Sequence, residues 1–62
     1  MSTTAIIEHQ ADSGVWLRFA DCASHPAAVK RMLDACLNSQ SWIKKARAID
    51  GDTKQLIDMA IK

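Results

Sequence analysis

Apolar and polar side chains alternate along residues 3–20, as expected of a β-strand that buries one face. Residues 11–14 interrupt the alternation with Ala-Asp-Ser-Gly, a turn-forming run in which Gly14 suits the left-handed position of a short loop. The pattern therefore predicts an antiparallel β-hairpin over residues 3–20.

The turn also predicts the register of the hairpin, because it places Ala11 opposite Val15. The pairs that follow run from Gln10 with Trp16 to Ile7 with Phe19. One face then forms a core face of Ala5, Ile7, His9, Ala11, Val15, Leu17 and Phe19. The opposite face, on which Glu8 faces Arg18, carries Ile6, Glu8, Gln10, Trp16, Arg18 and Ala20.

Helical periodicity begins after the hairpin. Ser24 or His25 can cap a helix over residues 25–38, and Pro26 suits its first turn. The spacing of the apolar residues predicts one buried stripe, formed by Val29, Met32, Leu33, Cys36 and Leu37.

Two further short helices are predicted in the last third of the chain. Residues 41–50 place Trp42, Ile43, Ala46 and Ile49 on one helical face, although residues 43–49 also fit the period of a strand. Asp52 and Gln55 resemble a capping box for a helix over residues 53–62, whose apolar face is wide.

These elements predict one small α+β domain over residues 1–62, with a hairpin followed by two or three short helices (ββααα). A hairpin alone leaves both edges unpaired, and small domains bury little surface. We therefore predict a homodimer, in which two hairpins pair across a two-fold axis into a four-stranded sheet.

Composition narrows the class of protein without naming a partner. The 62 residues hold eight basic and seven acidic side chains, a net charge of +1, which is too balanced for a dedicated nucleic-acid or membrane-surface protein. No apolar run reaches the ~20 residues needed to span a bilayer, and the N-terminal Met-Ser-Thr-Thr lacks the features of a signal peptide. We expect a cytoplasmic protein with two reduced core thiols, Cys22 and Cys36.

No residue pattern indicates catalysis, a cofactor or a small-molecule substrate. Cys22 and His25 have a spacing compatible with a metal, but a zinc site would need His9 and Cys36 to converge with them. The alternative is that His25 caps a helix and His9 lies at the rim of the core. We expect neither an enzyme nor a metal site.

Binding is therefore the expected function. Trp16, Arg18 and Glu8 share the outer face of the hairpin and are the candidate contacts for a protein partner, unless the last helix covers them. An accessory, regulatory or inhibitory factor encoded by a phage or plasmid would fit. The alternative is a small nucleic-acid-binding transcriptional regulator that uses the basic cluster of Lys44, Lys45 and Arg47.

Overall fold

The computed structural model describes residues 3–62 and shows an antiparallel sheet with a helix packed on one of its faces. In chain order the elements are β1 (Thr4–Gln10), β2 (Trp16–Ala23), α1 (Pro26–Ser39), β3 (Lys45–Asp50) and β4 (Leu56–Ile61). The strands lie in the order β2-β1-β3-β4, and all neighbouring pairs are antiparallel. The signal-peptide expectation rests partly on Met1 and Ser2, which lie outside the described residues.

The predicted β-hairpin is confirmed, including its turn. Gly14 has a φ of 91°, in the left-handed region that favours glycine. The backbone N–H of Ala11 donates to the carbonyl of Val15 at 2.8 Å, and Gln10 pairs with Trp16 as predicted. Local turn chemistry was therefore sufficient to place the register at this end of the hairpin.

Further along the hairpin, a bulge shifts the register by one residue. Glu8 pairs with Arg18 as predicted, but Ile7 pairs with Ala20 rather than with Phe19. Phe19 is the extra residue in β2, and it is 38% exposed. Ala20 thus takes the position on the core face that the uninterrupted alternation had assigned to Phe19.

The first predicted helix is also confirmed, with bounds that differ by one residue. Pro26 begins α1, where its missing N–H costs no hydrogen bond. His25 is the N-cap residue by backbone conformation, although its side chain makes no capping hydrogen bond. The side chains that α1 buries are Val29, Leu33, Cys36 and Leu37.

The ββααα layout is wrong, because the segments predicted as second and third helices form strands. The helix predicted over residues 41–50 is replaced by β3, so the strand alternative was the correct one there. Pairing with β1 fixes the period of two, with Ala46 and Ala48 buried beneath α1. The four-stranded sheet predicted for a dimer is wrong too, since β3 pairs with β1 within one chain.

The predicted helix over residues 53–62 is replaced by a turn and β4. The carboxylate of Asp50 accepts hydrogen bonds from the backbone N–H groups of Asp52 and Thr53, at 2.8 and 3.0 Å. The N–H of Asp50 donates in turn to the carbonyl of Gln55 at 2.8 Å. These bonds close a β3–β4 hairpin, so Asp50 organises a turn where Asp52 had been expected to cap a helix.

The core lies between α1 and the sheet. Its largest fully buried side chains are Ile7, Ile43, Val29 and Cys36. The sheet contributes three fully buried alanines, Ala5, Ala46 and Ala48. Because alanine is short, the backbone of α1 can approach the sheet closely, while Ile7 and Ile43 fill the remaining volume.

We expect Ile7→Ala to lower the free energy of unfolding by about 2–5 kcal/mol, since it removes a fully buried side chain and leaves a cavity. Urea unfolding followed by far-UV circular dichroism would measure this loss. The matched control is Val15→Ala, because Val15 is 56% exposed and should change stability by no more than about 0.5 kcal/mol. Equal losses for both variants would contradict this core.

The Asp50 turn predicts a pH dependence of stability. Hydrogen bonds from the backbone of Thr53 and Asp52 lower the pKa of Asp50 below its ordinary value. The folded state therefore binds fewer protons than the unfolded state, and the stabilisation is lost as pH falls below about 4. The urea midpoint should decrease more between neutral and acidic pH in the wild type than in Asp50→Asn, because the asparagine side chain does not titrate. Parallel pH profiles would refute this role for Asp50.

Candidate binding surface on the sheet

α1 covers one face of the sheet, and within residues 3–62 no helix or strand covers the other. The strand register places a mixed set of side chains on this second face, which we call the open face. Its polar half consists of Glu8, Gln10, Trp16, Arg18, Asp21, Lys45 and Arg47. Its apolar half consists of Ile6, Ile49, Leu56, Met59 and Ile61.

Arg47 organises the polar half. Its Nε donates to Oε1 of Glu8 at 2.8 Å, and a terminal nitrogen lies 2.8 Å from the same oxygen. Its guanidinium carbon also lies 4.2 Å from the centre of the Trp16 ring. Because β1 lies between β2 and β3, the Arg47 side chain crosses β1 to reach Trp16. One guanidinium thus combines a charge-assisted hydrogen bond with a cation–π contact.

The structure brings the predicted contacts Glu8, Trp16 and Arg18 together on the open face. Glu8 and Arg18 lie opposite each other, but Arg18 forms its ion pair with Asp21 in its own strand. Trp16 is half-buried, and Arg47 lies over its ring, whereas the alternative from the sequence was a C-terminal helix covering it. Sequence reasoning missed Arg47 as a member of this cluster because it was assigned to a helix.

The predicted basic cluster does not form one helical surface. The side chain of Arg47 lies on the open face, where Glu8 and Trp16 engage it. Lys44 and Lys45 instead line a small cavity of about 220 Å³ beside Trp42, near the tip of the first hairpin. Strand alternation places Lys45 on the same face as Arg47, while Lys44 precedes β3, so the three cations do not follow helical spacing.

The apolar half of the open face is well exposed along β4. Leu56 is 58% exposed, Met59 is 42% exposed and Ile61 is 67% exposed. Ile49, which pairs with Ile6, is buried without belonging to the core under α1. These exposed apolar side chains are neighbours on one face of the sheet, and contiguous patches of this kind occur at sites of contact with proteins, membranes or ligands. The Leu-Ile-Asp-Met-Ala-Ile run was the available sequence signal, but it was attributed to a helix.

The thiols show no sign of nucleophilic activation. Burial raises the pKa of the Cys36 thiol. Burial also raises the pKa of the Cys22 thiol, and the negative charge of the nearby Asp21 carboxylate adds a smaller contribution in the same direction. Both thiols therefore stay protonated, whereas the nucleophilic form of cysteine is the thiolate. The two cysteines are free in this structure.

Residues 3–62 also contain no group of three or more histidine, cysteine or acidic side chains placed to hold a metal ion. His9 lies edge-on to Trp42, with ring centres 5.3 Å apart. A second cavity, between the start of α1 and Ile57, has a volume of about 220 Å³. Both cavities are smaller than the ~300 Å³ typical of the smallest ligand pockets.

Comparison with protein-family models, with curated proteins and with solved structures finds no match to this chain. In the described part of the chain, no helix is long and apolar enough to cross a membrane. Function must therefore be inferred from the open face itself.

The stacking of Arg47 on Trp16 predicts an energetic coupling between the two side chains. Arg47→Lys keeps the charge but loses the planar guanidinium group. We therefore expect it to lower the free energy of unfolding of the wild type by about 0.5–1 kcal/mol. The loss should be smaller in a Trp16→Leu background, where the ring is absent. Urea unfolding of the four proteins measures the coupling. Arg18→Lys is the control, because it lies at an exposed ion pair and should change the free energy of unfolding little in either background. If Arg47→Lys lowered the free energy of unfolding equally in both backgrounds, the coupling would be contradicted.

Proposed function

We propose that this chain is a non-catalytic binding protein that docks a protein partner on the open face. The observation that carries the proposal is the exposure of Leu56, Met59 and Ile61 beside the Trp16–Arg47–Glu8 cluster. A sheet normally buries at least one face against another layer, and here α1 already serves that purpose on the opposite side. Apolar groups on the second face gain free energy only if something else removes them from water.

The composition of the open face supports a protein as the partner. Trp and Arg are the residue types most enriched at the energetic centres of protein interfaces. Of the three cations on this face, Arg47 and Arg18 are each paired with a carboxylate, Glu8 and Asp21, and Lys45 leaves an excess of one positive charge. A surface that binds phosphates would instead hold several unpaired cations. The chain as a whole has a net charge of +1, which agrees with this preference.

The mechanism would be occupation of a partner's surface rather than turnover. Glu8, Trp16 and Arg47 hold one another in place before a partner arrives, so little side-chain freedom remains to be lost on binding. The apolar half would supply the hydrophobic contact, and the polar half would supply orientation. A small factor of this kind acts as an accessory, regulatory or inhibitory protein by masking or bridging its target.

The first test is photocrosslinking in the cell that produces the protein. p-Benzoylphenylalanine at Leu56 should crosslink a discrete polypeptide, because the probe would lie within the proposed interface. The same probe at Val15 is the control, since Val15 is 56% exposed and Leu56 is 58% exposed, but Val15 lies at the hairpin turn. The same crosslinked species at both positions would contradict docking on the open face.

Calorimetric titration of the crosslinked partner then tests the proposal quantitatively. Leu56→Lys and Trp16→Ala should each weaken the affinity by at least about tenfold, which corresponds to ~1.4 kcal/mol. Val15→Lys should leave the affinity within about threefold, since the substitution lies outside the interface. Circular dichroism would verify that each variant folds. Unchanged affinity of Leu56→Lys, or loss of the fold in Trp16→Ala, would argue against these residues as contacts.

Nucleic acid remains the other class of partner to be tested. Lys44 and Lys45 are exposed beside Trp42, and this group could meet a phosphate backbone. The measurement is fluorescence anisotropy of a labelled DNA duplex at about 50 and 200 mM salt, between which phosphate-driven binding falls steeply. We expect no binding at either salt concentration. Salt-sensitive binding that Lys44→Ala weakens would favour a transcriptional regulator instead.

A further inference from the structure

The two edge strands, β2 and β4, differ in how strongly they discourage pairing with a further strand. β2 carries the Arg18–Asp21 ion pair and has a bulge in its middle, and both features discourage pairing with another strand. β4 has a single charged residue, Asp58, and the irregularity of its pairing with β3 lies toward its beginning. Residues 58–61 therefore form a regular and largely apolar edge.

The hydrogen bonds identify which backbone groups of β4 point away from β3. The N–H of Lys62 donates to the carbonyl of Lys44 at 2.8 Å, so Lys62 faces β3, and Ala60 and Asp58 follow by alternation. The N–H of Met59 instead donates to its neighbouring carboxylate, Asp58 Oδ1, at 2.8 Å. Met59 and Ile61 thus present their backbone groups to the free edge.

From this arrangement we propose that β4 pairs in antiparallel fashion with β4 of a second copy of the chain, joining two sheets edge to edge. Met59 of each copy lies opposite Ile61 of the other and exchanges backbone hydrogen bonds with it. Ala60 lies opposite Ala60 on the two-fold axis, where its small side chain permits close approach. Asp58 then lies opposite Lys62 of the second copy.

Charge selects this register over its neighbours. Shifting the register so that Met59 lies opposite Met59 places Asp58 opposite Ala60 and leaves Lys62 without its counterpart. Shifting it further places Asp58 opposite Asp58, where like charges repel. In the proposed register Asp58 exchanges the N–H of Met59 for the ammonium group of Lys62 of the second copy, so its carboxylate keeps a donor.

The two helices of the dimer do not collide. A two-fold axis perpendicular to the sheet keeps both copies of α1 on the same face. α1 packs against all four strands and so lies near the midline of its sheet. The midlines of the two sheets are separated by the width of one sheet, about 19 Å for four strands at ~4.8 Å spacing. A helix with its side chains is about 10–12 Å across, so a gap remains between the helices. The side chains of Asp58 and Lys62 lie on the same side of the sheet as α1, where Lys62 Nζ donates to the carbonyl of Leu37 at 3.4 Å.

The dimer joins the apolar halves of the two open faces. Met59 and Ile61 of one copy become neighbours of Ile61 and Met59 of the other, on the side away from α1. The resulting surface is symmetric and presents two identical docking faces on the same side of the joined sheet. The paired edges are short, so the dimer is reversible and its population depends on concentration.

Sedimentation velocity of the full chain tests the proposal over about 10 µM to 1 mM, the range in which weak interfaces dissociate. We expect the wild type to change from monomer to dimer across this range. Asp58→Lys and Lys62→Glu should each weaken self-association by at least about tenfold, because each places like charges opposite one another. An equimolar mixture of the two variants should restore the dimer, since the introduced lysine faces the introduced glutamate while native Lys62 faces native Asp58.

The outcomes separate this proposal from docking on the open face. Trp16→Ala lies away from β4 and should dimerise like the wild type, even though it impairs partner binding. A wild type that stays monomeric at the highest concentration would overturn the dimer. So would single-charge variants that associate as the wild type does, or a mixture that fails to recover. Methyl contacts between Met59 and Ile61 across differently labelled copies, seen by NMR, would identify the register directly.

Discussion

The pairing of β1 with β3 is the constraint on which the rest of the molecule depends. It joins two hairpins that α1 separates in the chain, and it matches Ala5–His9 with Ala46–Asp50. Both central strands thereby gain a partner on each side, while β2 and β4 become the edges. The same pairing sets Ala46 and Ala48 beneath α1 and turns Arg47 to the opposite face. Core and binding surface are thus two consequences of one register.

Sequence patterns predicted the parts of the fold that are determined locally. The first hairpin follows from its turn, and α1 follows from a stripe of apolar residues after Pro26. β3 could not be assigned with the same certainty, because residues 43–49 satisfy both a helical and a strand period. A strand gains its hydrogen bonds from a partner that is distant in sequence, and local spacing carries no information about that partner.

The candidate site shows the same division between local and distant information. The alternation along the first hairpin was enough to place Glu8, Trp16 and Arg18 on one face. Arg47 lies 39 residues from Glu8 in the chain, so its contact appears only once β3 is known to lie beside β1. The apolar half of the open face depends in addition on β4. A capping-box pattern at Asp52 concealed that strand, whereas in the structure the carboxylate of Asp50 accepts from the backbone N–H groups of Asp52 and Thr53 and closes a turn.

The two halves of the open face differ in what they still require. Arg47 has both a carboxylate and an aromatic ring as partners, and Arg18 has Asp21, so the polar half is largely satisfied within the chain. Leu56 and Ile61, by contrast, are largely exposed to solvent. Free energy for association would therefore come from the apolar half. The ordered charges beside it would restrict which partners fit, since any partner must match an arrangement that already exists.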